Sequence, residues 1–212
     1  MDPDRSALII VDMQHYFVEP HSSLMALVEH LQPGKVRPYV QRVEETVIPA
    51  IQGLLYRFRA LKSPIFFTQF GSRRADGSDL PLWARRINDM SLATFERLAY
   101  PEIEDSSASL IPALSPELGE TILQKTTAGT LSSTDLDTRL KDLKVNTVVV
   151  CGVNTDVCVG QTARELADRG YEVLLVEDGC ATLSMDAHRA TLETFGVVFG
   201  QTKSANEISG EL

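Results

Sequence analysis

Three reactive side chains stand at the ends of short apolar runs in this chain. Ala7-Leu8-Ile9-Ile10-Val11 stops at Asp12, and Glu120-Thr121-Ile122-Leu123-Gln124 stops at Lys125. Val148-Val149-Val150-Cys151 passes through a polar turn into a helical pattern that carries Cys158 near its start. A thiol in the first turn of a helix faces backbone N–H groups with no intrahelical partner, and the positive end of the helix dipole. It is expected to ionise more easily than a free thiol. The same N–H groups can hold the oxyanion of a tetrahedral intermediate. A carboxylate can take the thiol proton, and an ammonium can keep carboxylate and thiolate anionic. Asp12 as base, Lys125 as electrostatic support and Cys158 as nucleophile therefore form a set suited to acyl transfer.

The elements around these residues must bring three strand ends to one place. Continuous β-branched runs suit strands buried on both faces, and here they alternate with helical spacing. The pattern predicts a helical stretch over about 35–62, with Pro49 at a helix start or a break. It predicts strands at Pro64–Gln69, Glu120–Lys125, Val145–Cys151, Tyr171–Val176 and Val197–Phe199. A helix capped by Ser132 or Ser133 runs to about Leu143, and Thr155 or Asp156 caps the helix that carries Cys158. Met185–Phe195 is a helix ending at Gly196, and 203–212 is a short tail. The fold expected is α/β: one domain over 1–212, a Rossmann-like three-layer sandwich on a central, mostly parallel sheet of about six strands. Ligands in such sheets bind beyond the carboxyl ends of the strands, where Asp12, Lys125 and Cys158 fall. The irregular stretch 70–116 is expected to be a partly helical cover over that edge.

Bulk properties narrow the function. A length of 212 residues suits one domain, and 43% hydrophobic residues suffice for one core. The net charge of −9 gives no general attraction to nucleic acid or anionic membrane, so neither is an expected partner. No apolar stretch reaches the length of a membrane span. Met1 to Arg5 is polar, and the three cysteines, Cys151, Cys158 and Cys180, form no CxxC pair. Reduced thiols and a cytoplasmic location are expected.

The combination of Val11-Asp12-Met13-Gln14 and Phe17, Lys125, and Gly152-Val153-Asn154-Thr155-Asp156-Val157-Cys158-Val159 resembles the isochorismatase-like cysteine hydrolase superfamily. Thr162-Ala163-Arg164, Val176 to Thr182 and the helix around His188 are similar to it as well. The resemblance implies that Cys158 attacks a carbonyl carbon, expels an amine or ammonia, and leaves a thioester for water to hydrolyse. It implies a cis peptide between Val153 and Asn154, in a turn with Thr155 that aims N–H groups at the oxyanion. It also implies a homo-oligomer, dimer or tetramer, acting on a small molecule. True isochorismatases cleave an enol ether and typically lack the cysteine, although Tyr16-Phe17-Val18 resembles their version of that loop. Nicotinamidases usually carry Asp-x-His and a further histidine for a metal. Phe70 to Asp76 holds no histidine, so no metal and no other cofactor is expected, and nicotinamide is disfavoured. Thr126-Thr127-Ala128-Gly129-Thr130 is smaller and more polar than the usual sequence after the lysine.

The substrate pocket is assigned to Gln14, Phe17, Gln69, Trp83 and Phe95. Gln14 could instead orient Asp12 or satisfy local backbone groups. Arg73 and Arg74 read as a solvated pair rather than a carboxylate site. Cys151 is read as a core residue, Cys180 as part of an ordinary turn, and His21, His30 and His188 as structural; His15 could face pocket or solvent. The expected function is hydrolysis of a non-peptide C–N bond in a small amide, ureide or carbamoyl compound. The alternatives are enol-ether hydrolysis with Asp12 as acid, and a silent binding or scaffold protein.

Overall fold

The computed structural model describes all 212 residues. Six strands form the central sheet: β1 (Ser6–Val11), β2 (Ile65–Phe70), β3 (Thr121–Lys125), β4 (Thr147–Val153), β5 (Glu172–Ala181) and β6 (Gln201–Lys203). Every pairing is parallel, in the order β3-β2-β1-β4-β5-β6. The sheet is thus wholly parallel rather than mostly so. Each residue of β1 and β4 is buried, which explains the unbroken apolar runs: helices cover both faces.

The helices are α1 (His15–Val18), α2 (Ser23–Leu31), α3 (Val36–Arg42), α4 (Ile48–Leu61), α5 (Leu82–Phe95), α6 (Leu136–Asp142), α7 (Gly160–Ala167), α8 (Met185–Val198) and α9 (Ala205–Glu211). A wide π turn, Val43–Val47, joins α3 to α4. Proline cannot donate to the preceding turn, and this widening lies just ahead of Pro49. The apolar stripe survives it: Val40, Val43, Val47, Ile51, Leu54, Leu55 and Phe58 are all buried.

The strand order reverses between β1 and β4, and the crevice beyond their carboxyl ends is the topological switch point. Asp12 follows β1 directly, and Cys158 lies five residues beyond the end of β4. Gly152 lets these two strands close up. It pairs with Val11 at φ +116°, and a Cβ there would meet the Val11 carbonyl oxygen at 2.1 Å. No helix is long and apolar enough to cross a membrane.

Several elements differ from their sequence reading. Val197 and Val198 end α8 and are 80% and 65% exposed; the last strand is the polar segment Gln201–Lys203. The tail is helix α9, held by a capping box between Ser204 and Glu207. Asp135, not Ser132 or Ser133, precedes α6. Cys180 is buried within β5 rather than in a turn, because β5 continues past an irregularity opposite Val150 to Gly152. The cover contains a full helix, α5, and α2 packs against it.

Candidate active site

Asp12 takes a left-handed backbone, φ +52°, which aspartate tolerates better than most residues. Its N–H donates to Thr68 Oγ1 at 3.1 Å, and Thr68 Oγ1 donates back to Asp12 Oδ1 at 2.6 Å. Thr68 thus clamps the carboxylate from the neighbouring strand β2. Asp12 Oδ2 lies 2.8 Å from Lys125 Nζ, and both side chains are fully buried. Carboxylate and ammonium thus meet inside the core as a buried ion pair. Lys125 Nζ donates to the carbonyls of Thr127 at 3.0 Å and Ala128 at 2.8 Å. The turn after Lys125 thereby anchors the ammonium with its own backbone. Phe70, opposite Lys125 in the sheet register, places its ring 5.1 Å from Nζ.

The Cys158 side chain lies within reach of both Asp12 and Lys125. The structure therefore brings together the three residues proposed from sequence. It changes the electrostatics. Burial pushes the Cys158 thiol up; Lys125 pulls it down and Asp12 pushes it up again, leaving it at about 12. Burial thus works against ionisation of this thiol, in the direction opposite to the one expected from its place at a helix start. Desolvation outweighs the helix terminus here. Burial lowers Lys125, but the Asp12 carboxylate beside it more than offsets this and holds it above the usual lysine range.

The peptide between Val153 and Asn154 is cis. Asn154, rather than Thr155 or Asp156, precedes the helical turn, and its side chain makes no cap. The Asn154 carbonyl accepts from Val157 N and Val159 N, each at 3.1 Å, and passes over the Cys158 N–H between them. Thr155 Oγ1 lies 2.9 Å from His188 Nδ1, while His188 Nε2 lies 3.3 Å from Arg42 Nη2. Arginine only donates, so Nε2 is the acceptor and the His188 proton is on Nδ1. Burial and Arg42 hold His188 at about 4, a neutral ring.

The pocket assignments fare unevenly. Gln14 is consumed by backbone: it donates to Phe70 O and Ala108 O and accepts from Phe70 N, which ties the cover to β2. It is a latch rather than a substrate contact. Gln69 sits beside Phe70 and so presents to the sheet face opposite Lys125, in a groove with Gln124 and Arg73. Phe95 packs edge-on against His30, away from the aromatic cluster around Phe70. Phe17 and Trp83 do belong to that cluster, 6.4 and 5.8 Å from the Phe70 ring. His15 pairs with Glu19 at 2.5 Å at the surface. No three His, Cys, Asp or Glu side chains converge on one point. Thr68, Phe70 and Tyr100 were missed. Thr68 carries a weak signal, since it lies near the carboxyl end of the predicted strand Pro64–Gln69; Phe70, one residue beyond that strand, and Tyr100 carry none.

A family model described as the isochorismatase domain matches residues 6–207. The uncharacterized isochorismatase family protein YwoC of Bacillus subtilis is 31% identical over a match covering 47% of this chain and 53% of that protein. Ureidoacrylate amidohydrolase RutB of Methylobacterium radiotolerans is 27% identical, over 94% of this chain and 76% of its own length. Among solved structures, a cysteine hydrolase from Pseudomonas syringae pv. phaseolicola superposes with a TM-score of 0.81 at 28% identity, covering 99% of this chain and 93% of the other.

Proposed function

The chain belongs to the isochorismatase family of hydrolases, and we propose that it is a cysteine hydrolase cleaving a non-peptide C–N bond of a small amide, ureide or carbamoyl compound. The observation that carries this is the buried Asp12–Lys125 contact with Cys158 beside it. The amidohydrolase among the relatives supports the bond type.

In this mechanism Cys158 Sγ attacks the substrate carbonyl carbon as its proton passes to Asp12. The oxyanion is held by backbone N–H groups of the Asn154–Cys158 turn. Collapse breaks the C–N bond, and Asp12 returns the proton to the leaving nitrogen. Water then attacks the thioester, gives its proton to Asp12, and releases the acid with the thiol restored. Lys125 stays charged throughout and stabilises the carboxylate between transfers.

Ammonia and amine release from a panel of small amides, ureides and carbamoyl compounds tests the proposal with Cys158→Ala beside the wild type. Loss of turnover in the variant is expected. Undiminished turnover would sink the thiol mechanism and favour ether-type hydrolysis with Asp12 as acid.

A further inference from the structure

The turn that follows Lys125 is held by the helix that follows Cys158. Lys125 Nζ donates to the carbonyls of Thr127 and Ala128, so whatever fixes those two carbonyls aims the ammonium. Part of that hold is internal to the turn. Ser133 Oγ accepts from Thr126 N at 3.1 Å and lies 2.7 Å from Thr127 Oγ1, which donates to the Gly129 carbonyl at 2.7 Å. The rest comes from α7. Thr162 Oγ1 accepts from Thr130 N at 3.1 Å. Glu165 Oε2 accepts from Leu131 N at 2.9 Å, and Glu165 Oε1 accepts from the Ser132 hydroxyl. Cys158, in the turn that leads into α7, stands with Thr162 and Glu165 at i, i+4 and i+7, the spacing of one helix face. One side of this helix thus carries the nucleophile and grips the turn that grips the lysine.

Gly129 lets Glu165 come this close. A Cβ at that position would meet Glu165 Oε2 at 2.5 Å. The atoms nearest that Cβ are the end of a flexible side chain, so an alanine at 129 displaces the Glu165 carboxylate rather than the fold. The small, polar sequence Thr126 to Thr130 is thereby explained: its hydroxyls and backbone meet Ser133, Thr162 and Lys125, and its glycine makes room for a carboxylate from another element.

We propose that Glu165 is a positioning residue for Lys125. Through Leu131 and Ser132 it holds the turn whose Thr127 and Ala128 carbonyls aim the ammonium at Asp12 and Cys158, and Gly129 is the space it needs. Lysine and cysteine come from β3 and from the turn after β4, and α7 keeps them in register. The turnover arm of the test rests on the cysteine-hydrolase reading; the labelling arm does not.

Iodoacetamide alkylation of Cys158 is timed at pH 9 by peptide mass spectrometry in the wild type, Glu165→Ala, Glu165→Gln, Gly129→Ala and the double variant Gly129→Ala/Glu165→Ala. Asp168→Asn, exposed just past the end of the same helix, is the control. The charged groups beside the Cys158 sulfur are Lys125 and Asp12, with the phenols of Tyr16, Tyr39 and Tyr100 around it. Lys125 is the cation among them, so its displacement leaves less thiolate. Glu165→Ala and Gly129→Ala are each expected to slow labelling of Cys158 about tenfold, as for a rise of about one pKa unit, while Cys151 and Cys180 keep their rates. Glutamine at 165 can accept from Leu131 N and donate to Ser132 Oγ, so Glu165→Gln stays near the wild-type rate, as does Asp168→Asn. The double variant is expected to be no slower than Glu165→Ala, because the alanine at 129 then has nothing to displace. A wild-type or faster rate in Glu165→Ala would overturn the proposal, and additive losses in the double variant would overturn the part given to Gly129. In the turnover arm, Glu165→Ala is expected to lower kcat about tenfold at unchanged KM on the best amide of the panel. A raised KM at unchanged kcat would overturn the positioning role. Labelling reads the charge beside the thiol whatever that thiol does, so either arm can fail while the Cys158→Ala turnover test succeeds, and the reverse.

Discussion

Lys125 Nζ lies 2.8 Å from Asp12 Oδ2 with no solvent access to either side chain. The two residues come from β3 and the end of β1, with β2 between them. Lysine's length spans that gap, and the Thr127 and Ala128 carbonyls take two of its three protons. The remaining direction is left for Asp12 and the Cys158 sulfur.

This pair sets the first prediction. Removing one partner strands the other charge in the core, so Lys125→Met is expected to cost about 3–5 kcal/mol of stability. The double variant Asp12→Asn with Lys125→Met is expected to recover much of that loss while staying inactive. Chemical denaturation gives the energies. Additive losses in the double variant would mean that the two residues are not coupled.

Thr68 carries the second. It accepts from the Asp12 backbone and donates to the Asp12 carboxylate, so Thr68→Val keeps the shape and removes both bonds. A loss of about 1.5–3 kcal/mol is expected for a bond to a charged group. A fall in kcat on the order of 10²-fold is expected from a base that is no longer aimed. Thr68→Ser should restore most of both. A Thr68→Val enzyme at the wild-type rate would show that Lys125 alone positions the base.

Alkaline pH supplies the third. Burial raises Cys158 from 9.0 to about 12, and it raises Cys180 likewise to about 12. The folded state then holds these protons more tightly than the unfolded chain does. Their contribution to stability is complete below about pH 9 and is lost as pH rises through about 12. Lys125, also raised, acts in the same direction. The urea midpoint is expected to fall steadily above pH 9, and the alkylation rate of Cys158 to keep climbing at pH 10. A labelling rate that levels off near pH 7–8 would contradict a buried resting thiol.

What could be read from the chain follows from where each residue gets its partners. Val11-Asp12 and the Val148–Cys158 segment are local statements: an unbroken apolar run needs two covered faces, and a polar residue at its tip needs a reason. The strands β1, β4 and the residues Asp12, Lys125 and Cys158 were legible on those grounds. Val197-Val198-Phe199 looked like a strand by composition, yet α8 continues through Gly196 because Leu192 and Phe195 anchor it in the core. Packing there outweighs β-branched preference. Gln14 misled for another reason. Its three amide bonds go to residues 56 and 94 positions away, and nothing in its neighbourhood announces them. Tyr100 follows a helix in the least regular stretch and acquires its place only when α5, through Asn88, holds it against Phe70.

The most direct measurement is an acid quench of the wild-type enzyme during turnover of an amide substrate, followed by intact-mass and peptide mass spectrometry. The account predicts a mass increase equal to the acyl portion of that substrate, located on Cys158 and absent from Cys151, Cys180 and the Cys158→Ala variant. Full turnover with no adduct on Cys158, and with Cys158→Ala as fast as the wild type, would contradict it.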